Sequence, residues 1–218
     1  MVNTILEKNI FTNKNSIPAI KNLLILAGVS ATGKNQFIEK IQTDGHKKLV
    51  DDLQLNEYTN AQHIDSGTLN SKNLNICASE LILHFDFMHH ALVHKSGFKA
   101  LSIIIQQSQK INLITLCSSA KILSQRHNQR IKDTLQKASP KQKDQLFFNY
   151  HMLYFRYKQA IFENPIQLNK YYLKWEQFIA SHHLKNHYLL DSGLPELDYL
   201  GAYSNEKVKT ILGQAEKI

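Results

Sequence analysis

This 218-residue sequence predicts an α/β fold with a mostly parallel central sheet flanked by helices, and three observations carry the prediction. Short apolar segments at 22–27, 81–87, 111–117 and 187–190 have the length and composition of strands. Stretches with apolar residues at helical spacing fall between them, so strand and helix alternate as in right-handed crossover units. The helical stretch 119–181 exceeds what one crossover needs, and it reads as a helical lid or subdomain within a single domain spanning 1–218.

Asn22-Leu-Leu-Ile-Leu-Ala27 is apolar without alternation, the pattern of a strand covered on both faces. Phe37, Ile38 and Ile41 then mark a helix laying one face on that sheet. Leu49 and Val50 suggest a second short strand, and residues 53–78, rich in Asn, Ser and Thr, show no period. Leu81–Phe87 is a strand with a carboxylate near its end. Phe98, Leu101, Ile104 and Ile105 mark a helix over 98–109, and Ile111–Cys117 is again a strand. Ser118-Ser119 caps a helix to about 136. Ser139-Pro140 opens another, carrying the stripe Leu146, Phe147, Tyr150, Leu153, Tyr154, Tyr157 and Ile161, which Pro165 stops. A helix over 168–181, a strand at His187–Leu190 and a short helix near 203–212 complete the chain.

Apolar residues make up 43% and charged residues 20%, a globular balance, and no apolar run approaches the roughly 20 residues of a membrane helix. The start, MVNTILEKNIFTNKNS, lacks the organisation of a secretory signal, so a soluble, cytoplasmic protein is expected. Cys77 and Cys117 form neither a redox motif nor a disulfide framework and read as buried or free thiols. A net charge of +8 suits anionic partners. Residues 121–158 hold nine Lys and Arg against Asp133 and Asp144, a local +7 that is either a solvated helical face or a surface for nucleic acid.

Gly28-Val-Ser-Ala-Thr-Gly-Lys34 matches G-x-x-x-x-G-K, the Walker A pattern, between a strand and a helix. Such a loop needs glycines that tolerate unusual dihedrals, so that backbone N–H groups converge on phosphate oxygens. The following helix points its positive end at the same anion, and Lys34 reaches the β and γ phosphates as a point charge. Gly28, Ser30, Ala31, Thr32, Gly33, Lys34 and Asn35 are therefore the candidate nucleotide-binding residues. Asn35 stands where the pattern wants a hydroxyl for Mg²⁺, which predicts unusual metal dependence. Asp86, at the end of an apolar strand broken only by His84, has the Walker B arrangement and is the second candidate metal residue, holding a Mg²⁺-bound water or taking a proton.

These residues resemble the P-loop small-molecule and nucleotide kinases, the superfamily that includes nucleoside monophosphate kinases. Three pieces carry the resemblance: Gly28–Lys34; the strand Ile111–Cys117 leading into Ser118–Arg130; and His187-Tyr-Leu-Leu-Asp-Ser-Gly-Leu-Pro-Glu-Leu197. Only the first is specific. The resemblance implies ATP or GTP with Mg²⁺ as cofactors, an unidentified small-molecule or nucleotide acceptor as the other substrate, and Lys34, Asp86, Arg126 and Arg130 as catalytic residues. Asp86 would match the acid of that family's Asp-Arg pair, but Phe87 stands where the Arg would be. Arg126 and Arg130, four apart on a helix, share one face and can grip a phosphoryl group together. The plainer alternative is a surface ion pair, for instance with Asp133.

Other features have two readings. His89, His90 and His94 raise a zinc site, though no His-Glu-x-x-His motif accompanies them. The aromatics from Tyr150 to Trp175 either stack on a base or build core. Asp51, Asp52 and Asp65 read as surface loop acids, in a segment where such kinases build acceptor pockets. The rival functions are a nucleotide- or nucleic-acid-binding regulator without turnover and a sulfotransferase-like enzyme.

Overall fold

A computed structural model of the chain describes residues 19–43, 47–70, 76–92, 96–137, 139, 146–193 and 197–213. Six strands form one sheet: β1 Ile20–Gly28, β2 Gln62–Asp65, β3 Glu80–Asp86, β4 Ser108–Cys117, β5 His187–Asp191 and β6 Asp198–Ala202. Their order is β2-β3-β1-β4-β5-β6. β1 and β2 each run parallel to β3, and β5 and β6 are antiparallel, so the sheet is mostly parallel and flanked by helices. In β1 every residue except Lys21 is buried, which is why its sequence does not alternate.

By packing, the chain divides into two compact units. Among the described residues, the first contains Ala19–Gly28, Lys34–Thr115 and Leu184–His187, and the second contains Val29–Gly33, Leu116–His183 and Tyr188–Gly213.

In the first unit, helix α1 (Lys34–Gln42) buries Phe37, Ile38 and Ile41 and packs on β1 and β3. The strand expected at Leu49-Val50 is instead helix α2 (Lys47–Asp52). Two adjacent apolar residues do not make a strand when a helical stop follows. Gln54, at φ 55°, takes the left-handed conformation, while the N–H groups of Gln54 and Leu55 donate to Asp51 O and Val50 O, closing the turn. The segment without a period contains 3₁₀ turns at Asn56–Tyr58 and Ser66–Asn70, with β2 between them. Phe87 begins helix α3 (Phe87–Leu92) rather than ending a strand, and α4 spans Ser96–Gln106. Phe85 stacks on the buried His90 ring at 4.7 Å and meets Phe98 edge-on at 5.3 Å. Gly97 makes this possible, because a Cβ there would lie 2.0 Å from His90 Nδ1.

In the second unit, helices α5 (Ala120–Lys137), α6 (Leu146–Phe162), α7 (Pro165–Ser181) and α8 (Asn205–Leu212) pack on one another. Ser119 Oγ accepts from Ile122 N at 3.3 Å and opens α5, whereas the predicted start of the next helix at Pro140 lies outside the described residues. Pro165, expected to end one helix, also begins α7 at its first turn, where Asn164 Oδ1 accepts from Gln167 N at 3.1 Å. Leu168, Tyr172, Trp175 and Leu189 are fully buried, and an aliphatic side chain so placed contributes about 2 kcal/mol. Tyr172 and Trp175 are therefore core, with Tyr172 Oη donating to Leu116 O at 3.2 Å, while Tyr157 is exposed. β6, absent from the sequence prediction, is an edge strand whose Leu200 and Ala202 carbonyls both accept from Lys207 Nζ, at 2.7 and 2.9 Å. Among the described residues no helix is long and apolar enough to cross a membrane.

Candidate functional site

In the first unit, the carboxyl ends of β1 and β3 come level. Gly28 pairs in register with Asp86, and Leu26 with His84. Lys34 opens α1 and is only 4% exposed; its ammonium donates to Gly28 O at 3.1 Å. An ammonium tolerates such burial only when its hydrogens are taken, and this contact keeps it at the head of the helix. Asn35, next along α1, is exposed. Asp86 closes β3 and starts α3: its Oδ1 accepts from His89 N at 2.9 Å, as an N-cap does, and its own N–H donates to Ser66 Oγ at 3.3 Å. The carboxylate therefore has a helix-starting role before any ligand is considered.

Beside it, His84 Nδ1 stands 2.9 Å from Asp65 Oδ2, and the His84 and His63 rings stack at 6.2 Å. Asp65 is thus not a loop acid but the last residue of β2, paired in register with His84. The His84 imidazole, 2.9 Å away, holds the Asp65 carboxyl down at about 2 against opposing burial, helped by the Gly67 N–H at 2.7 Å. His84 itself sits below the usual imidazole range because of burial; the Asp65 bond opposes this and the Lys34 charge adds to it. Asp51 and Asp52 are exposed on α2, with Asp51 Oδ1 accepting from Asn56 Nδ2 at 2.9 Å.

The centre of the loop, Val29–Gly33, packs with the second unit. Ala31 (φ 69°) and Gly33 (φ 82°) are left-handed, whereas Gly28 remains in β1. The unusual dihedrals expected of both glycines are therefore supplied by Gly33 and by an alanine. Left-handed residues are what let successive N–H groups converge in anion-binding turns, and a non-glycine residue holds that conformation at a cost of about 1–2 kcal/mol. Thr32 is fully buried, its hydroxyl donating to Val29 O at 2.9 Å.

Two cations from the helices hold this loop. Arg126 donates through one terminal nitrogen to Ala31 O at 3.3 Å and through the other to Ser192 O at 2.8 Å. Lys158 Nζ donates to Ser30 Oγ at 2.6 Å. Burial and then the charge of Arg130 lower the Arg126 pKa, while Asp191 pulls it up. Arg130 is exposed on α5, so of the two predicted arginines only Arg126 reaches the loop. Asp133, the alternative partner proposed for them, accepts from Gln129 Nε2 at 2.8 Å. Behind Arg126, Ser192 is fixed by its N–H and Oγ, both donating to Cys117 O. Burial raises the Asp191 carboxyl, and the N–H of Gly193, donating to it at 2.7 Å, opposes this. Cys117 is buried and Cys77 exposed.

The structure thus groups Gly28, Lys34 and Asp86 in one unit, and Ser30, Ala31, Thr32, Gly33 and Arg126 in the other. Lys158 and the Asp65–His84 pair were not among the expected site residues. Their signals were a lysine four residues after Tyr154 in an aromatic stripe, and a histidine interrupting an apolar strand. No group of three His, Cys, Asp or Glu suited to a metal occurs among the described residues, and His94 lies outside them.

Fold and site together define an α/β protein with a mostly parallel sheet and a lysine-headed loop between a strand and a helix. No family model matches the chain, and neither a curated protein nor a solved structure matches it significantly.

Proposed function

We propose that residues 28–34 bind the phosphates of ATP or GTP and that the protein transfers a phosphoryl group to a small-molecule or nucleotide acceptor. The observation that carries this reading is the loop itself: two left-handed residues within it, at Ala31 and Gly33, are followed directly by a buried lysine at the head of a helix. Convergent amides, the helix dipole and one ammonium are the ingredients of polyphosphate recognition. In the transfer, an acceptor oxygen attacks the γ-phosphorus and the bond from that phosphorus to the bridging oxygen breaks. The acceptor's proton leaves to a base, and the nucleoside diphosphate departs with the bridging electrons. Lys34 stabilises the charge that develops, and Arg126 holds the loop through Ala31 O.

Asp86 and Asn35 would hold Mg²⁺. A carboxylate and an amide oxygen are the hard donors this ion takes, often through its waters, and when bound it neutralises phosphate charge. The neutral Asn35 weakens that hold relative to a hydroxyl residue, so Asn35→Thr raises the gain in nucleotide affinity that Mg²⁺ gives. Phe87 is 1% exposed and belongs to the core, so the Asp-Arg pair of the resembling kinases has no counterpart here.

Calorimetry with ATP, GTP and their diphosphates tests the reading. Wild type should bind at least one of them, and Lys34→Ala should lose at least tenfold in affinity while keeping its far-ultraviolet circular dichroism. Wild-type affinity in Lys34→Ala would remove the loop as the site. One observation favours the second reading, a nucleic-acid-binding regulator: Lys121, Arg130, Lys132, Lys137 and Arg156 are all exposed. Binding to a polynucleotide that falls steeply with salt, without phosphoryl transfer to any acceptor, would select it.

A further inference from the structure

We propose that Lys158 is a second phosphate-binding cation, directed at the polyphosphate tail of the nucleotide; this rests on residues 28–34 being the nucleotide site. Lys158 lies on α6, far from the loop in sequence, and is only 5% exposed. Its ammonium is spent on the loop: Nζ donates to Ser30 Oγ at 2.6 Å and stands 4.6 Å from the centre of the Tyr154 ring. Arg126 takes the carbonyl of the next residue, Ala31, so two cations from different helices meet consecutive residues at the middle of the loop.

Both cations are held in position by ties between their helices. Gln159 Nε2 donates to Ser124 Oγ at 2.6 Å, and His127 Nε2 lies 3.0 Å from Phe155 O. These contacts flank Lys158 on one helix and Arg126 on the other. The stem of Lys158 and the Tyr154 face confine the ammonium, so little rotamer freedom remains to be lost when a ligand arrives. Its acceptor is a neutral hydroxyl, and a phosphate oxygen accepts from an ammonium about twice as strongly. A phosphate cradled by the amides of Ser30–Gly33 therefore draws the same ammonium with a short movement and leaves Ser30 to turn its hydroxyl. The assignment thus gives the loop an ammonium from α6 at Ser30.

The alternative is a purely structural staple between α6 and the loop. Calorimetry with ATP and with inorganic tripolyphosphate on wild type, Lys158→Met, Lys158→Arg and Ser30→Ala separates the two, with melting temperatures recorded alongside. Loss of one charge-assisted bond predicts a 10- to 100-fold weaker affinity in Lys158→Met, by the same factor for both ligands. Lys158→Arg should stay within about fivefold of wild type, because a cation remains within reach. Ser30→Ala removes the staple but not the cation, so its loss should be at least about threefold smaller than that of Lys158→Met. If Lys158→Met loses its folded circular dichroism, Lys158→Gln is read in its place. Equal losses in Ser30→Ala and Lys158→Met overturn the proposal, as does a loss for ATP with none for tripolyphosphate. Wild-type affinity in Lys158→Met overturns it while leaving the loop reading intact. Absence of any binding by the wild type removes both.

Discussion

Replacing Arg126 by alanine should loosen the loop without unfolding the protein. The guanidinium joins Ala31 O to Ser192 O, and Ser192 is itself bonded twice to Cys117 O. A hydrogen bond from a charged donor contributes about 1.5–3 kcal/mol. The bond to Ala31 is long at 3.3 Å and the side chain is partly solvated, so the two together are placed at about 2 kcal/mol. That loss acts on the local opening of residues 29–33 and should raise their amide exchange by about 30-fold. Exchange in β1 and β3, which pair from Asn22–Glu80 to Gly28–Asp86, should be unchanged. Native-state hydrogen exchange by mass spectrometry on peptides covering 26–36, against peptides covering 80–86, makes the comparison. Arg126→Lys is the control: one ammonium cannot fork to two carbonyls, so it should recover only part of the protection. If the loop exchanges at the wild-type rate in Arg126→Ala, Arg126 does not order it.

Gly97→Ala should destabilise by about 3 kcal/mol, because the new methyl meets the His90 ring; chemical denaturation of Gly97→Ala, His90→Ala and the double variant should show the double costing less than the sum. Purely additive costs would refute the clash. The Asp65 carboxyl lies at about 2 in the folded protein against 3.8 ordinarily, so its contribution is fully present above pH 3.8 and disappears as pH falls toward 2. Its side chain is half exposed, which limits the effect to under about 1 kcal/mol. Asp65→Asn should flatten the stability profile between pH 4 and 2, and an unchanged profile would mean that the His84–Asp65 contact is not formed in solution.

The sheet was largely legible from composition, because β1 is a continuous apolar run buried on both faces and β3, β4 and β5 each carry a shorter apolar segment. β2 was not, since Gln62-His-Ile-Asp65 has one apolar residue and is a strand by virtue of its pairing with β3. β6, with Gly201 at φ 76°, is likewise set by its neighbour β5. Leu49-Val50 misled in the opposite sense, an apolar pair whose conformation is decided by Gln54 several residues later. At the site, Gly33 and Lys34 were readable because one loop and one helix end fix them locally. Lys158 was hidden because Ser30, its partner, lies 128 positions away, and nothing in the local spacing distinguishes a lysine turned inward from one facing water. Ala31 shows a related limit: sequence patterns mark glycines as the sites of backbone freedom, yet here an alanine takes the left-handed conformation.

Lys207 bears on the chemistry of the sheet's border. β6 is the last strand of the sheet, and such a border offers carbonyl acceptors that can recruit a foreign strand. By drawing both the Leu200 and Ala202 oxygens onto one ammonium, α8 puts a positive charge where an intruding chain would need to donate its amides. The β6 border thereby carries a positive charge contributed by a helix.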